Sequence, residues 1–148
     1  MNPNKIRPIA IGAFLKGDKL LVFEGFDQAK NKYFYRPLGG GIEYGETSQA
    51  ALIREMQEEI GAEVTNLRLL GVIENIFTFD QQIGHEIVFI YAGQFTDAQL
   101  YTKDTLEAVE AKGQAFKAIW KPLADFGSGS QSQALLYPTG LLELLTQL

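Results

Sequence analysis

The chain has no cysteine, which removes disulfides and thiolate metal sites and fits a reducing cytoplasm, the expected location. No apolar run approaches the roughly 20 residues that a membrane-spanning helix needs, so a membrane is not an expected partner. The opening stretch, MNPNKIRPIAIGAFLKGDK, holds only a strand-length apolar run that ends in a turn, unlike a secretory leader. Excess positive charge is missing too. Thirteen Lys and Arg face 18 Asp and Glu, for a net charge of -5. A general nucleic-acid binder shows a basic face, so nucleic acid is an unlikely partner on charge alone. There is no internal repeat, low-complexity tract or Pro-rich linker, and the one Gly/Ser-rich stretch, Gly127 to Ser130, reads as a surface loop.

What is present describes an ordinary soluble domain. The 148 residues suit one domain over 1–148, with 46% hydrophobic and 21% charged residues. A homodimer is compatible with that size. Pro8–Leu15 and Lys19–Phe23 read as strands joined by a turn at Lys16-Gly17-Asp18. Tyr33–Arg36 alternates ring and polar groups before Pro37, and Gly39-Gly40-Gly41 follows. Thr47 or Ser48 is placed to cap a helix running to about Ile60, with Gly61 ending it. Glu63–Phe79 holds one long strand or two short ones, Glu86–Phe95 is rich in β-branched and aromatic residues, and Ala115–Trp120 is a further strand. A terminal helix is expected over Gly140–Gln147. Strands flanking helices at this length give a mixed α/β domain.

The central helix, SQAALIREMQEEIG, carries the chemistry. At about 100° per residue Ile53, Met56 and Ile60 share a side and are the expected core face. Glu55, Glu58 and Glu59, at i, i+3 and i+4, are expected to gather on another. Like charges so spaced cost a few tenths of a kcal/mol per pair in an isolated helix, which a sequence built for stability alone avoids by interleaving lysines. Clustered carboxylates are hard oxygen ligands suited to Mg²⁺ or Mn²⁺, and such an ion also reconciles an acidic site with a phosphate-bearing substrate. The glycines upstream lack side chains, so their backbone is free to approach an ion or phosphate closely. Arg54 is able to grip Glu46 with both guanidinium arms and so brace loop to helix behind the ligands.

A solvated acidic face is the plain alternative for E-x-x-E-E by itself. The wider spacing decides against it. Gly40, Glu46, Arg54, Glu55, Glu58, Glu59 and Gly61 satisfy G-x5-E-x7-R-E-U-x-E-E-x-G-U, with Met56 and Ala62 at the apolar positions. Chance gives those fixed matches on the order of 10⁻⁸ per frame. Gly40–Ala62 therefore resembles the signature segment of the Nudix hydrolases, with Ala62 smaller than the usual aliphatic.

That resemblance implies a Nudix-type α/β/α sandwich with a central mixed β-sheet. It also implies an enzyme that uses water and Mg²⁺ or Mn²⁺ to cleave a nucleoside diphosphate linked to another moiety. By the same resemblance Glu55 and Glu59 are metal ligands, Glu58 assists, and a backbone carbonyl of Gly39 or Gly40 joins them. The general base comes from the box or from a later strand, where Glu86 is the first choice and Glu74 the second. Arg36 and His85 are candidate contacts to substrate phosphates, and Tyr33, Phe34, Tyr35, Phe77 and Phe79 are weighed as a stacking platform, with most of them expected in the core. No branch-specific signature fixes the substrate, which stays open among a nucleoside triphosphate, a modified one such as 8-oxo-dGTP, and a nucleotide sugar. A catalytically silent nucleotide sensor and an RNA 5′-end pyrophosphohydrolase are the competing functions. The intact acidic set argues against the first and the charge balance against the second.

Overall fold

The structure, a computed structural model, describes residues 4–110, 112–127 and 134–147. Most of the Gly127–Ser130 loop expectation lies outside these residues. Nine strands and two α-helices are present among them: β1 (Ile6–Lys16), β2 (Lys19–Asp27), β3 (Lys32–Arg36), β4 (Gly39–Gly41), α1 (Ser48–Ile60), β5 (Val64–Phe79), β6 (Gln82–Phe95), β7 (Thr105–Val109), β8 (Ala115–Pro122), β9 (Leu135–Leu136) and α2 (Leu141–Thr146).

The strands form a mixed sheet in the order β5-β6-β1-β2-β3-β9, with β4 beside β1 and β8 between β2 and β7. β1 holds its two parts together: Ile6–Phe14 runs parallel to β6, while Leu15 and Lys16 pair antiparallel with β2. Both faces of the sheet are covered. On one, Ala10, Phe14, Tyr91, Phe95 and Trp120 pack with Ala51, Leu52 and Met56 of α1. On the other, Ile9, Ile11, Val22, Val88 and Ile90 pack with Leu141 and Leu145 of α2. Alternate residues of β1 and β6 therefore enter different cores, as the period of two along a strand requires. Helices on both faces of a mixed sheet are the expected α/β/α arrangement.

Thr47 caps α1 through its hydroxyl, which accepts from the Ala50 amide, and Gly61 ends it at φ +63°. The expected core face needs one correction. Met56 is fully buried and Ile60 half-buried, but Ile53 is 45% exposed, and Ala51 and Leu52 take the buried places. The stripe is Leu52, Met56, Ile60, at steps of four, so Ile53 stands about 100° off its axis. Replacing Met56 by Ala is expected to cost about 2–5 kcal/mol in urea unfolding, and Ile53→Gln to stay within about 0.5 kcal/mol. Equal losses at the two positions would mean a helix rotated from this orientation.

The expected Glu63–Phe79 span holds one long strand, Val64–Phe79, with irregular register near Arg68 and Gly71. It joins β6 through Asp80 and Gln81, both left-handed at φ +48° and +67°. This is a hairpin turn without the Asn-Gly signal that marks such turns in sequence, which is why β6 begins earlier than the expected Glu86. β7 and β9 were not expected from the sequence; both are short.

Candidate functional site

The three glycines before α1 are strand β4, laid against Ile9, Ala10 and Ile11 of β1. At Gly39 (φ +151°) an added Cβ would stand 2.1 Å from the Ala10 carbonyl oxygen, so no side chain fits. At Gly40 the space of a Cβ is taken by the Glu55 carboxyl group, whose carbon would be only 2.5 Å away. The glycine run thus lets an acid of the helix rest against the backbone of the loop.

Arg54 ties this assembly together. Its Nε and Nη2 donate to the two oxygens of Glu46 at 2.8 and 2.9 Å, the bidentate brace expected from the sequence. Nη2 also donates to the Gly41 carbonyl at 2.9 Å, and Nη1 to Glu55 at 3.0 Å and Glu58 at 3.3 Å. The hydrogen bonds from Arg54 hold the Glu46 carboxyl down at about 2, far below its ordinary range. The same bonds raise the Arg54 guanidinium further above its usual value. One arginine therefore balances several carboxylates and anchors the loop to the helix.

Glu59 is placed differently from the expectation of a common acidic face. Three residues beyond Met56, it borders the buried stripe, and its Oε1 is buried with no hydrogen-bond partner. Burial pushes its carboxyl up to about 8, helped by the hydrogen bond and the charge of Glu55 and opposed by Arg36 and the Gly39 amide. A buried oxygen without a partner costs roughly 1–3 kcal/mol unless something supplies its missing contact. A hard divalent cation suits that oxygen in chemistry: two adjacent carboxylates, oxygen donors only, and glycine backbone at hand. Among the described residues no three His, Cys, Asp or Glu side chains stand ready-made around one point. Glu58, largely exposed and drawn to Arg54, is the member turned away.

Beside these carboxylates opens a cavity of about 660 Å³ whose lining includes Arg7, Arg36, Asn75, Glu86, Phe34 and Phe79. Arg7 of β1, Glu86 of β6 and Asn75 of β5 are register partners, three side chains abreast on one face. Glu86 is 3% and Asn75 6% exposed. Arg36 of β3 reaches across to Glu86 at 3.8 Å, and burial lowers its guanidinium from the usual value, with the Arg7 charge adding to that effect. Phe23, Phe77 and Phe116 also line the cavity, and Phe34 meets Phe79 edge to face at 5.6 Å. The Phe34 and Phe77 rings fold over Gly25 and Gly84, where an added Cβ would lie 2.3 Å from ring carbon.

The sequence candidates thus divide. Glu46, Arg54, Glu55, Glu58, Glu59, Gly39 and Gly40 form one connected cluster, and Arg36 and Glu86 stand together in the adjoining cavity. His85 is not brought there. It pairs with Ile6 and Ile76 and, one residue from Glu86, faces the opposite side of the sheet. Glu74 is exposed and likewise one residue off the Asn75 face. Three of the five weighed aromatics, Phe34, Phe77 and Phe79, line the cavity, while Tyr35 is buried against Phe126 with its hydroxyl donating to Glu24 at 2.6 Å. Arg7 and Asn75 were missed. Only the strand register brings them beside Glu86, and nothing in the local sequence of either announces it.

The match of the NUDIX domain family model extends over residues 6–139, well beyond the box. The chain belongs to the Nudix family. It is a hydrolase acting on a nucleoside diphosphate linkage, the reaction class expected from the box. It is 29% identical over 121 residues to an RNA pyrophosphohydrolase of Hydrogenovibrio crunogenus, a match covering 74% of this chain and 72% of that protein. It is 26% identical over 118 residues to the NAD-capped RNA hydrolase NudC of Pseudomonas aeruginosa, spanning 73% of this chain but only 40% of that longer protein. Its fold matches the structure of a NUDIX hydrolase from Nitrosomonas europaea with a TM-score of 0.63 at 17% identity, covering 96% of this chain and 87% of the other. Two relatives named as acting on RNA correct the expectation that nucleic acid is an unlikely partner: a net charge of -5 is no ground for setting it aside. Among the described residues no helix is long and apolar enough to cross a membrane.

Proposed function

We propose that this chain uses Mg²⁺ or Mn²⁺ to hydrolyse a small nucleotide, such as a nucleoside triphosphate, a modified one or a nucleotide sugar, releasing a nucleoside monophosphate. The observation that carries the metal assignment is Glu59, whose buried, unpartnered oxygen lies against Glu55 and the glycine backbone. In this reading Glu55 and Glu59 hold the ion, Glu58 joins them by turning from Arg54, and a carbonyl of Gly39 or Gly40 completes the protein's share. When bound, the cation supplies Lewis-acid neutralisation of the phosphoryl oxygens. Glu46 and Arg54 keep the ligands in place without touching the substrate. Arg36 faces the phosphate chain, and Glu86, paired to it at 3.8 Å, orients that guanidinium. Because its carboxylate is turned to Arg36, the proposal gives Glu86 this orienting role rather than that of general base.

A second reading, removal of pyrophosphate from an RNA 5′ end, is favoured by the relative from Hydrogenovibrio. One panel tests both. Purified protein is incubated with nucleoside triphosphates, 8-oxo-dGTP, nucleotide sugars and a 5′-triphosphorylated RNA oligomer, with Mg²⁺, with Mn²⁺ or with chelator. Metal-dependent monophosphate release from a mononucleotide is the expected result. Turnover of the RNA alone would select the second reading, and turnover undiminished by chelator would overturn the metal assignment.

A further inference from the structure

We propose that Arg7, flanked by Asn75, completes a phosphate seat on the cavity floor, and that this seat orients the substrate with its phosphates toward Glu59 and its base toward Phe34 and Phe79. The inference rests on the reading that this cavity takes the nucleotide, and assigns a binding residue outside the signature segment.

Charge is the first argument. The lining carries two guanidinium groups, Arg7 and Arg36, and four carboxylates, Glu24, Asp27, Glu86 and Glu110, so an anion meets its counter-charge where the two arginines stand. Arg36 is committed to Glu86. Arg7 makes no ion pair within 4.0 Å and no side-chain hydrogen bond among the described residues, so the five donors of its guanidinium are open. A fork of donors of that kind matches a phosphate better than any neutral group.

Placement is the second. The Arg7 guanidinium lies against Gly41, where an added Cβ would be 3.2 Å from Nη2, 3.5 Å from Nε and 3.7 Å from Cζ. The carbonyl of the same glycine accepts from Arg54 at 2.9 Å. Gly41 is thus sandwiched between the arginine that braces the acidic cluster and the arginine that faces the cavity, which fixes the distance from one to the other. Asn75, almost fully buried, makes no side-chain hydrogen bond within the described chain and offers its amide to the same floor. Away from this floor the lining turns aromatic, with the Phe34 and Phe79 rings edge to face. One end suits an anion and the other a flat ring, so the cavity has a direction.

The test uses the full chain and its Arg7→Ala and Arg7→Lys variants, with Phe79→Leu as the contrasting change. KM and kcat are measured for triphosphates of four different bases at saturating Mg²⁺. The affinity for inorganic tripolyphosphate, which has no base, is measured by calorimetry. Arg7→Ala is expected to weaken nucleotide and tripolyphosphate alike by about 10- to 100-fold, the effect of losing a charged hydrogen-bond donor, by one factor for all bases. Arg7→Lys should recover part of that loss. Phe79→Leu should alter the preference among bases and leave tripolyphosphate unchanged. Tripolyphosphate affinity within twofold of the original in Arg7→Ala would overturn the seat, and a loss confined to one base would reassign Arg7 to the nucleobase. If the unmodified chain turns over no nucleotide, the proposed substrate fails, while the tripolyphosphate comparison still decides the seat. Thermal unfolding of each variant separates lost binding from lost fold.

Discussion

Replacing Glu59 by Gln is expected to lower kcat by about 10³-fold or more, roughly 4 kcal/mol of transition-state stabilisation, while the folded state survives. The two consequences have one origin. A carboxylate buried beside Glu55 with an unpartnered oxygen burdens the fold, and the neutral amide removes that burden together with the proposed ligand. The sign of the pH dependence follows from the direction of the shift. The Glu59 carboxyl is pushed up to about 8 from an ordinary value of 4.5. Its contribution to stability is therefore full below the ordinary value and is lost as pH rises through about 8. In metal-free buffer, Glu59→Gln should lose less stability between neutral and alkaline pH than the original chain. Divalent ion should stabilise the original chain more than the variant. Thermal unfolding with and without Mg²⁺, alongside initial rates, checks both halves. Normal turnover by the variant would sink the metal assignment outright.

Arg54→Ala should lower activity by about 10- to 100-fold, as expected for a group that holds ligands in place, and Arg54→Lys should rescue little of it. Lysine keeps the charge but has no fork with which to hold both Glu46 oxygens and the Gly41 carbonyl at 2.8–2.9 Å. The acid limb of the stability profile carries a separate signature. Glu46 is held at about 2 against an ordinary 4.5. The stability it lends is present above the ordinary value and disappears as pH falls through about 2. Arg54→Ala should flatten that part of the profile. An unchanged acid limb, measured by chemical unfolding from pH 5 to 2, would show that the pair does not contribute in solution.

Most of the acidic cluster was legible because its logic is local. Glu46 and Arg54 stand within one loop and the first turns of one helix, so spacing alone predicts that they meet. The helix itself announced its cap at Thr47 and its end at Gly61. Spacing was a poorer guide to Glu59, since the axis of the buried stripe depends on what packs against it. A rotation that puts Leu52 inside leaves Ile53 in solvent and draws Glu59 toward the core. The cavity was legible only in part. Its residues come from β1, β2, β3, β5 and β6, and which of them stand abreast is set by register. One step along β6 sends His85 to one face and Glu86 to the other, a distinction that composition does not carry. Arg7 and Asn75 stayed hidden for the same reason. The hairpin at Asp80-Gln81 escaped because its left-handed turn has Gln81 where such turns usually place glycine.

Gly25 and Gly84 give the cavity a form of adjustment that leaves its contact residues untouched. Each glycine lies beneath a phenylalanine ring that occupies the room a methyl group would need. An alanine at either place would push the ring off its strand and change the shape of the cavity. The bore of the cavity is thus set from behind its walls, by strand positions that hold the rings rather than by the rings alone. A lineage drifting toward a narrower or wider substrate has two such set-screws to turn while Arg36, Glu86 and the acidic helix stay as they are.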